Sequence, residues 1–472
     1  MEAFNLTDTA DKNKVFIVKR SELEGRIESE YYKPNISQIE KIVRAKSNKK
    51  LRDYIIRISS GATPLVTEEE KFYGNKDNGI PFLRVQNLQT NGTIYTDDVK
   101  YINLETHEKY LKRSQVSEGN LLVKITGVGR MAIASIAPKG FVGNTNQHMV
   151  VIKTDNLETS EYLANYLNLD IIEKLATRRT TGATRPALDY KALKSIPIIE
   201  NIDFSLLYNA ELIKHQKESK AKALLETIDD YLLRELGIIL PQKEVSLQNK
   251  IFTTNFSKVG GNRLDPDYIS KYEYLVSQKA NYNFIKLKDL LVTSPQYGAN
   301  EEAIKGNADT DIRYIRITDI DDLGNLKKDG WKTASNTDDR YLLKYNDLLF
   351  ARSGSVGKCY IHKQTDQKAI FAGYLIRFVV DESKVNPDFI FYYCNSSIYK
   401  FWVSAIERPA VQSNINSEEF KSLPIPLPSV EKQNKISNHI AKIRNQAKQL
   451  QKEAEQVLVK AKQDIEKMIL KQ

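Results

Sequence analysis

At 472 residues, with 41% hydrophobic and 28% charged side chains, the chain is long enough for two or three domains, each with its own core. A formal charge of +10 points to a polyanionic partner, nucleic acid foremost, with a merely solvated basic surface as the plainer alternative. No apolar run approaches the ~18 residues of a membrane span, and Met1–Ala10 lacks the basic-then-apolar order of a secretory leader, so no membrane association is expected.

The two cysteines, Cys359 and Cys394, make neither a disulfide framework nor a four-ligand zinc set, which fits a reducing cytoplasm. The five histidines are scattered, with none in an H-x-x-x-H pair, so no metal site is predicted.

Taken in order, the elements occur twice, with a period too long for a solenoid. The first copy opens on Arg26-Ile-Glu-Ser-Glu-Tyr31 and the second on Arg263-Leu-Asp-Pro-Asp-Tyr268. Lys50-Leu-Arg-Asp-Tyr-Ile-Ile56 then matches Lys286-Leu-Lys-Asp-Leu-Leu-Val292. A β-branched and aromatic run follows, Ile80-Pro-Phe-Leu-Arg-Val-Gln-Asn-Leu88 against Ile312-Arg-Tyr-Ile-Arg-Ile-Thr-Asp-Ile320, which predicts a strand across the whole stretch. It sets Arg84 opposite Arg316, with Gly92 and Gly324 after them.

Next, Asn120-Leu-Leu-Val-Lys-Ile-Thr-Gly127 matches Asp347-Leu-Leu-Phe-Ala-Arg-Ser-Gly354, and Gly129-Arg130 matches Gly357-Lys358. That pattern predicts strand, glycine turn, strand. Helices are expected from Ser160 and from Pro387-Asp388. Both copies close alike, Leu188-Asp-Tyr-Lys-Ala-Leu-Lys-Ser-Ile-Pro-Ile198 and Ile415-Asn-Ser-Glu-Glu-Phe-Lys-Ser-Leu-Pro-Ile425.

A long helix follows each copy. The second, Val430 to Leu470, places apolar residues at Ile436, Ile440, Ile443, Ala447, Leu450, Ala454, Val457, Ala461, Ile465 and Met468, alternating steps of four and three. The first, Phe204 to Leu236, sharpens its seam at Ala221, Leu225, Ile228 and Leu232. Helix-on-helix packing is the expected solution, against the alternative that each lies on its own domain. The fold expected is α+β: two similar mixed α/β domains, residues 1–200 and 241–428, and two long helices, 201–240 and 429–472, packed as an antiparallel coiled coil. The chain from Leu240 to Gln248 is expected to form the connecting loop.

Duplicated in this order, these segments resemble the specificity subunit of type I restriction-modification systems over nearly the whole chain. The most telling pieces are Ser422-Leu-Pro-Ile-Pro-Leu-Pro-Ser-Val-Glu-Lys-Gln433, where a proline-rich close enters an E-x-Q helix, and Leu348-Leu-Phe-Ala-Arg-Ser-Gly354. The first close departs: Ile196-Pro-Ile-Ile-Glu-Asn201 lacks the later prolines and the E-x-Q entry. The resemblance implies a non-catalytic chain that chooses a two-part DNA target. It also implies partners: double-stranded DNA, two modification subunits that methylate adenine with S-adenosylmethionine, and restriction subunits that use ATP and Mg. No cofactor is expected in this chain. A two-subunit type IIB-like system is the near alternative, and a coiled-coil scaffold that does not touch DNA is the distant one.

Arg and Lys donate to guanine, Asn and Gln pair with adenine, and glycine lets backbone approach phosphate. On that chemistry the candidate contacts in the first copy are Arg84, Gln86, Asn87, Lys124, Thr126 and Arg130, with Arg178, Arg179, Thr180 and Arg185 from the run Arg178-Arg-Thr-Thr-Gly-Ala-Thr-Arg185. In the second copy they are Arg313, Arg316, Arg352, Ser353 and Lys358, with Arg408, Gln412 and Ser413 from the corresponding run Glu407-Arg-Pro-Ala-Val-Gln-Ser-Asn414. Since Arg84 and Arg316 match, they are expected to hold backbone or fold more than to read a particular base. Most of the 25 Tyr and 16 Phe, such as Tyr162, Tyr166, Phe389 and Tyr393, fall at helical spacing and read as core.

Three enzyme readings fail on the residues. Asn386-Pro-Asp-Phe389 has Asp where an amino-methyltransferase loop needs a second Pro, and no glycine-rich cofactor loop follows a strand. Ser353-Gly-Ser-Val-Gly-Lys-Cys359 lacks both the leading Gly and the closing hydroxyl of a P-loop. Asp319, Asp321 and Asp322 cluster, but Asn87 and Gln89 stand opposite the first two, so a solvated turn is expected rather than a metal-binding nuclease site.

Overall fold

The computed structural model describes residues 11, 14–23, 27–182, 184–240, 253, 266, 268–271, 280–327, 329–364, 366–407 and 413–471. Backbone contacts divide the chain into two compact units, residues 1–215 with 454–472, and residues 216–453. Arg26, Arg263 to Asp265 and the loop 241–248 lie outside the described residues.

In the first unit, strands β1 (Arg57–Ser60), β2 (Ile80–Leu83), β3 (Leu121–Lys124), β4 (Ala134–Ile136), β5 (Val142–Thr145) and β6 (Met149–Lys153) carry the fold. One sheet runs β1-β6-β3-β4, antiparallel throughout, while β2 pairs parallel with β5 in a second sheet. All four residues of β3 are buried, as a central strand covered on both faces requires. The helix α1 (Pro34–Lys46), α2 (Leu157–Leu167) and α3 (Asp170–Thr177) complete the unit. The α2 helix begins three residues before the predicted Ser160, because the Asn156 side chain accepts from the Thr159 amide (2.8 Å) and caps it there.

The second unit repeats the plan with β7 (Gln296–Tyr297), β8 (Arg313–Ile315), β9 (Leu348–Ala351), β10 (Cys359–Ile361), β11 (Ala369–Phe371) and β12 (Leu375–Phe378). Its sheet runs β7-β12-β9-β10, and β8 pairs parallel with β11. The order of the four-stranded sheet and the parallel pairing of β8 with β11 match those of the first unit, so the duplication read in the sequence is a duplication of structure.

In both copies the predicted long strand is short. It ends at Leu83 and at Ile315, where the chain turns into a 3-10 helix. The cause is local: Asn87 and Asp319 accept from the backbone amides of Arg84 (2.7 Å) and Arg316 (2.9 Å), which pulls the backbone out of the ladder.

The long helices are α4 (Ser205–Leu236) and, after α5 (Pro387–Tyr393) and α6 (Ser397–Ile406), α7 (Val430–Leu470). Within the second unit they run antiparallel: Lys217 pairs with Glu453 (2.6 Å), Tyr231 stacks on His439 (4.1 Å between centroids) and Glu235 pairs with Lys432 (2.5 Å). Within the first unit, Leu207 and Ala210 of α4 share a core with Ala461, Ile465 and Ile469 of α7. The two packing solutions weighed from sequence both hold. Leu232, Leu236, Ile436 and Ile440 also join β9, β10, Phe389 and Trp402 in the core of the second unit. The seam is as predicted except at its end, where Met468 is exposed and Ile469 is buried, a last step of four instead of three. No described helix is long and apolar enough to cross a membrane.

Candidate nucleic-acid interface

The glycine turns shape one edge of each sheet. Between β3 and β4 the chain passes through Gly127 (φ 120°) and Gly129 (φ 80°), and between β9 and β10 through Gly354 (φ 72°) and Gly357 (φ 82°). A second turn packs beside each. The carbonyl of His148 accepts from the amides of Ile125 (2.9 Å) and Thr126 (3.2 Å), and the carbonyl of Tyr374 accepts from Arg352 (3.0 Å). A third segment closes the edge: Leu188 donates to Ile125 and Ile415 to Arg352, while Thr126 bridges Ala187 and Ser353 bridges Asn414. Each edge thus brings together three stretches distant in sequence.

Several predicted contacts sit on this edge. Thr126 is half-buried and Arg185 is exposed beside it. The Arg352 guanidinium lies over the Tyr297 ring (5.0 Å) and reaches Asn414, and Ser413 precedes that bridge. Ser353 is buried, its backbone serving the bridge. Lys358 pairs with Asp322 (2.8 Å) and donates to the Ile320 carbonyl, which holds Asp322 below the usual carboxylate range. Arg408 and Gln412 lie outside the described residues.

Others are taken up by the fold. Arg178 and Arg179 are buried, and both bind the buried Glu40 of α1, at 2.7 and 2.5 Å. Arg178 also lies over the Tyr31 ring (4.0 Å), and Arg179 donates to the Leu175 carbonyl. Burial pushes the Glu40 carboxyl up, but Arg179 and then Arg178 outweigh it and hold it low. The sequence run that looked like an open arginine loop is therefore half interior: α3 reaches Thr177, and its C-terminal arginines turn inward to an acid on α1. Thr180 donates back to Thr177.

Lys124 is buried on β3 and donates to the Val128 carbonyl (2.8 Å), and burial lowers its pKa. Arg313 is buried and donates to Lys327. Asn87 is fully buried and spans Arg84, Tyr95 and Asp98. Gln86 is exposed but held by Asp98 (2.7 Å). Arg130 is tied to Asp170 (2.5 Å) and the Asn168 carbonyl. These side chains are committed to neighbours within the fold, Lys124, Arg313 and Asn87 in its interior and Gln86 and Arg130 nearer its surface.

Arg84 and Arg316 behave alike, as their matching predicts. Each heads the 3-10 turn after its strand, Arg84 beside Asp98 (3.6 Å) and Arg316 bound to Asp319 (2.6 Å). The acid cluster resolves into separate bonds: Asp319 to Arg316, Asp321 to Asn325, Asp322 to Lys358. Among the described residues no group of three or more His, Cys, Asp or Glu could hold a metal. Asn386 caps α5, accepting from Asp388 and Phe389, as a helix start should.

Sequence reasoning missed Gly61 and Gly298. A Cβ on Gly61 would lie 1.6 Å from the Thr145 carbonyl oxygen, and one on Gly298 2.4 Å from those of Phe371 and Ala372. The signal was present, since both glycines follow the edge strand of the four-stranded sheet of their copy, but no turn motif flags a glycine needed for close backbone approach. In the second copy a cleft of about 880 Å³ opens along this edge, lined by Asn300, Arg316, Ser353, Gly373 and Tyr374 among others.

The family model described as type I restriction modification DNA specificity domain matches residues 48–200 and again 279–459. The chain belongs to that family. It is 24% identical over 428 residues to the type I restriction enzyme MjaVIII specificity subunit of Methanocaldococcus jannaschii, covering 88% of this chain and 90% of that protein. It is also 24% identical over 153 residues to the EcoBI specificity subunit of Escherichia coli, 32% of each chain. Solved structures with similarity include a chain of a type I R-M system studied for complex assembly and conformational transition (15% identity, TM-score 0.43, 89% of this chain and 95% of that one). Another is the type I S subunit from M. genitalium (14% identity, TM-score 0.36, 89% and 94%). As a type I specificity subunit, the chain is a DNA-recognition component and not the catalyst.

Proposed function

We propose that this specificity subunit reads a two-part DNA target, one part per copy, in the cytoplasm. It carries two modification subunits to the site, where they methylate adenine with S-adenosylmethionine, and restriction subunits that use ATP and Mg. One observation carries this reading. The two copies share the strand order of the four-stranded sheet and the hydrogen bonds of its turns, while the side chains offered at the glycine-turn edge differ. A common frame with different donors and acceptors is what two different half-sites demand, since phosphate contacts position and base contacts specify.

Arg185, Thr126, Arg352 and Ser413 are the sequence-predicted residues best placed for DNA; Arg185 offers an exposed cation to phosphate. The division of the chain into recognition copies 1–200 and 241–428 with helices 201–240 and 429–472 is the functional division proposed. The test is to co-express the chain with a candidate modification subunit and to map methylated adenines by sequencing. A single bipartite motif is expected. Methylation without a motif, or at a continuous one, would contradict the proposal.

A further inference from the structure

The backbone equivalences of the two edges fix which side chains stand at the same place. Gly61 presses on β5 and Gly298 on the end of β11, the later strand of each parallel pair, so Thr63 and Asn300, each two residues on, correspond. The parallel registers set Leu83 opposite Thr145 and Ile315 opposite Phe371, so Gln147 corresponds to Gly373 and His148 to Tyr374. The matching carbonyl bonds of His148 and Tyr374 agree with that assignment.

At these paired positions the residues change while the frame does not. The first copy carries an exposed amide on the turn, Gln147, and the Thr63 hydroxyl opposite donates to its Oε1 (2.6 Å). In the second copy the amide stands on the opposite side, at Asn300, and its Oδ1 occupies space that a Cβ on Gly373 would need (1.9 Å). At these paired positions each copy therefore carries one primary amide, supplied from opposite segments. Beside it stands a ring: half-buried His148 in the first copy and Tyr374, 64% exposed, in the second. Burial, then Arg185, lowers the His148 pKa, which keeps that imidazole neutral at pH 7. Neither amide was singled out from sequence, because neither lies in a basic or glycine-rich run.

We infer that Gln147 and Asn300 are specificity-determining residues, each reading an adenine of an A·T pair in the half-site of its own copy. A primary amide matches the donor and acceptor that adenine shows in the major groove, N6–H and N7, and no other base edge fits it as well. The carbonyl of Gln147 keeps a second lone pair after accepting from Thr63, and its two amide hydrogens stay available. The cleft beside Asn300 gives a base edge room to approach. His148 and Tyr374 stand next to the amides as apolar or stacking neighbours.

This rests on the two-part reading proposed above. The experiment uses the full chain co-expressed with its modification subunit, as wild type and with Gln147→Ala, Gln147→Glu and Asn300→Ala, each mapped for methylated adenines. Gln147→Ala should relax one A·T position of one half-site by about 5- to 150-fold in discrimination, the range one bidentate base contact confers. Gln147→Glu should shift that position toward cytosine, whose N4 donates to a carboxylate. Asn300→Ala should relax a position of the other half only. Relaxation at a G·C position, unchanged motifs, or a uniform loss of methylation with the motif intact would overturn the assignment, the last because it marks a structural role. Should the wild-type chain yield no bipartite motif, the two-part reading itself fails; a wild-type motif that these variants leave untouched sinks this inference alone.

Discussion

Removing Glu40 should damage the first unit more than removing any surface charge. Its carboxylate is buried and holds three guanidinium groups: Arg178 at 2.7 Å, Arg179 at 2.5 Å and Arg44 at 2.6 Å. Breaking a buried pair from one side leaves uncompensated charge behind, at a cost of about 3–5 kcal/mol. Glu40→Ala strands two buried arginines at once, so the upper part of that range is expected. For a domain of this size the unfolding midpoint should fall by ~8–20 °C.

The pH dependence has a definite sign. The Glu40 carboxyl sits below its ordinary 4.5 in the folded state, so its contribution is full above the unfolded value and is lost as pH falls through the folded one. Calorimetry of wild type and Glu40→Ala at pH 7 and at pH 3 should show a gap that narrows in acid. A gap under about 1 kcal/mol at pH 7, the scale of a surface pair, would refute the claim that these arginines are interior structure.

Arg185→Ala should lower the slope of log binding constant against log salt by about one while leaving the motif intact, whereas Arg179→Ala should lower stability and leave the slope alone; equal slopes for Arg185→Ala and wild type would remove Arg185 from the phosphate contacts. Gly61→Ala should destabilise the first unit by at least ~1–3 kcal/mol, since its Cβ would meet the Thr145 carbonyl at 1.6 Å and the backbone must shift; a wild-type denaturation midpoint would contradict that. Ile440→Ala, in the core that α7 shares with the four-stranded sheet of the second unit, should cost ~2–5 kcal/mol by urea denaturation, and a cost below ~0.5 kcal/mol would mean that this face of α7 is not packed.

The duplication was the most legible feature, because hydrophobic runs and glycine turns recur in one order and the physics of strands and turns is local. The long helix Val430–Leu470 was legible to the residue, since its seam repeats and Pro424 to Pro428 stop any helix before it. Charge was the poorest guide. Arg178, Arg179, Lys124 and Arg313 read as a basic surface but are interior, each with a partner from elsewhere: Glu40 for the first two, the Val128 and Lys327 carbonyls for the others. Polar type says that a group must be paired, not whether the partner is protein or DNA. Asn87 shows the same limit, an amide that looks suited to a base and is spent holding a turn. The edge itself was half visible: its glycine turns were marked, while Gln147 and Asn300 lie in loops that only strand register sets at the edge of their own copy.

Two copies of one frame that read DNA independently make each half of the target exchangeable without the other. Replacing residues 243–428 with those of another family member, and mapping methylated adenines in the co-expressed complex, tests it most directly. One half of the motif should change and the other should persist base for base. A change in both halves, or in neither, would contradict it.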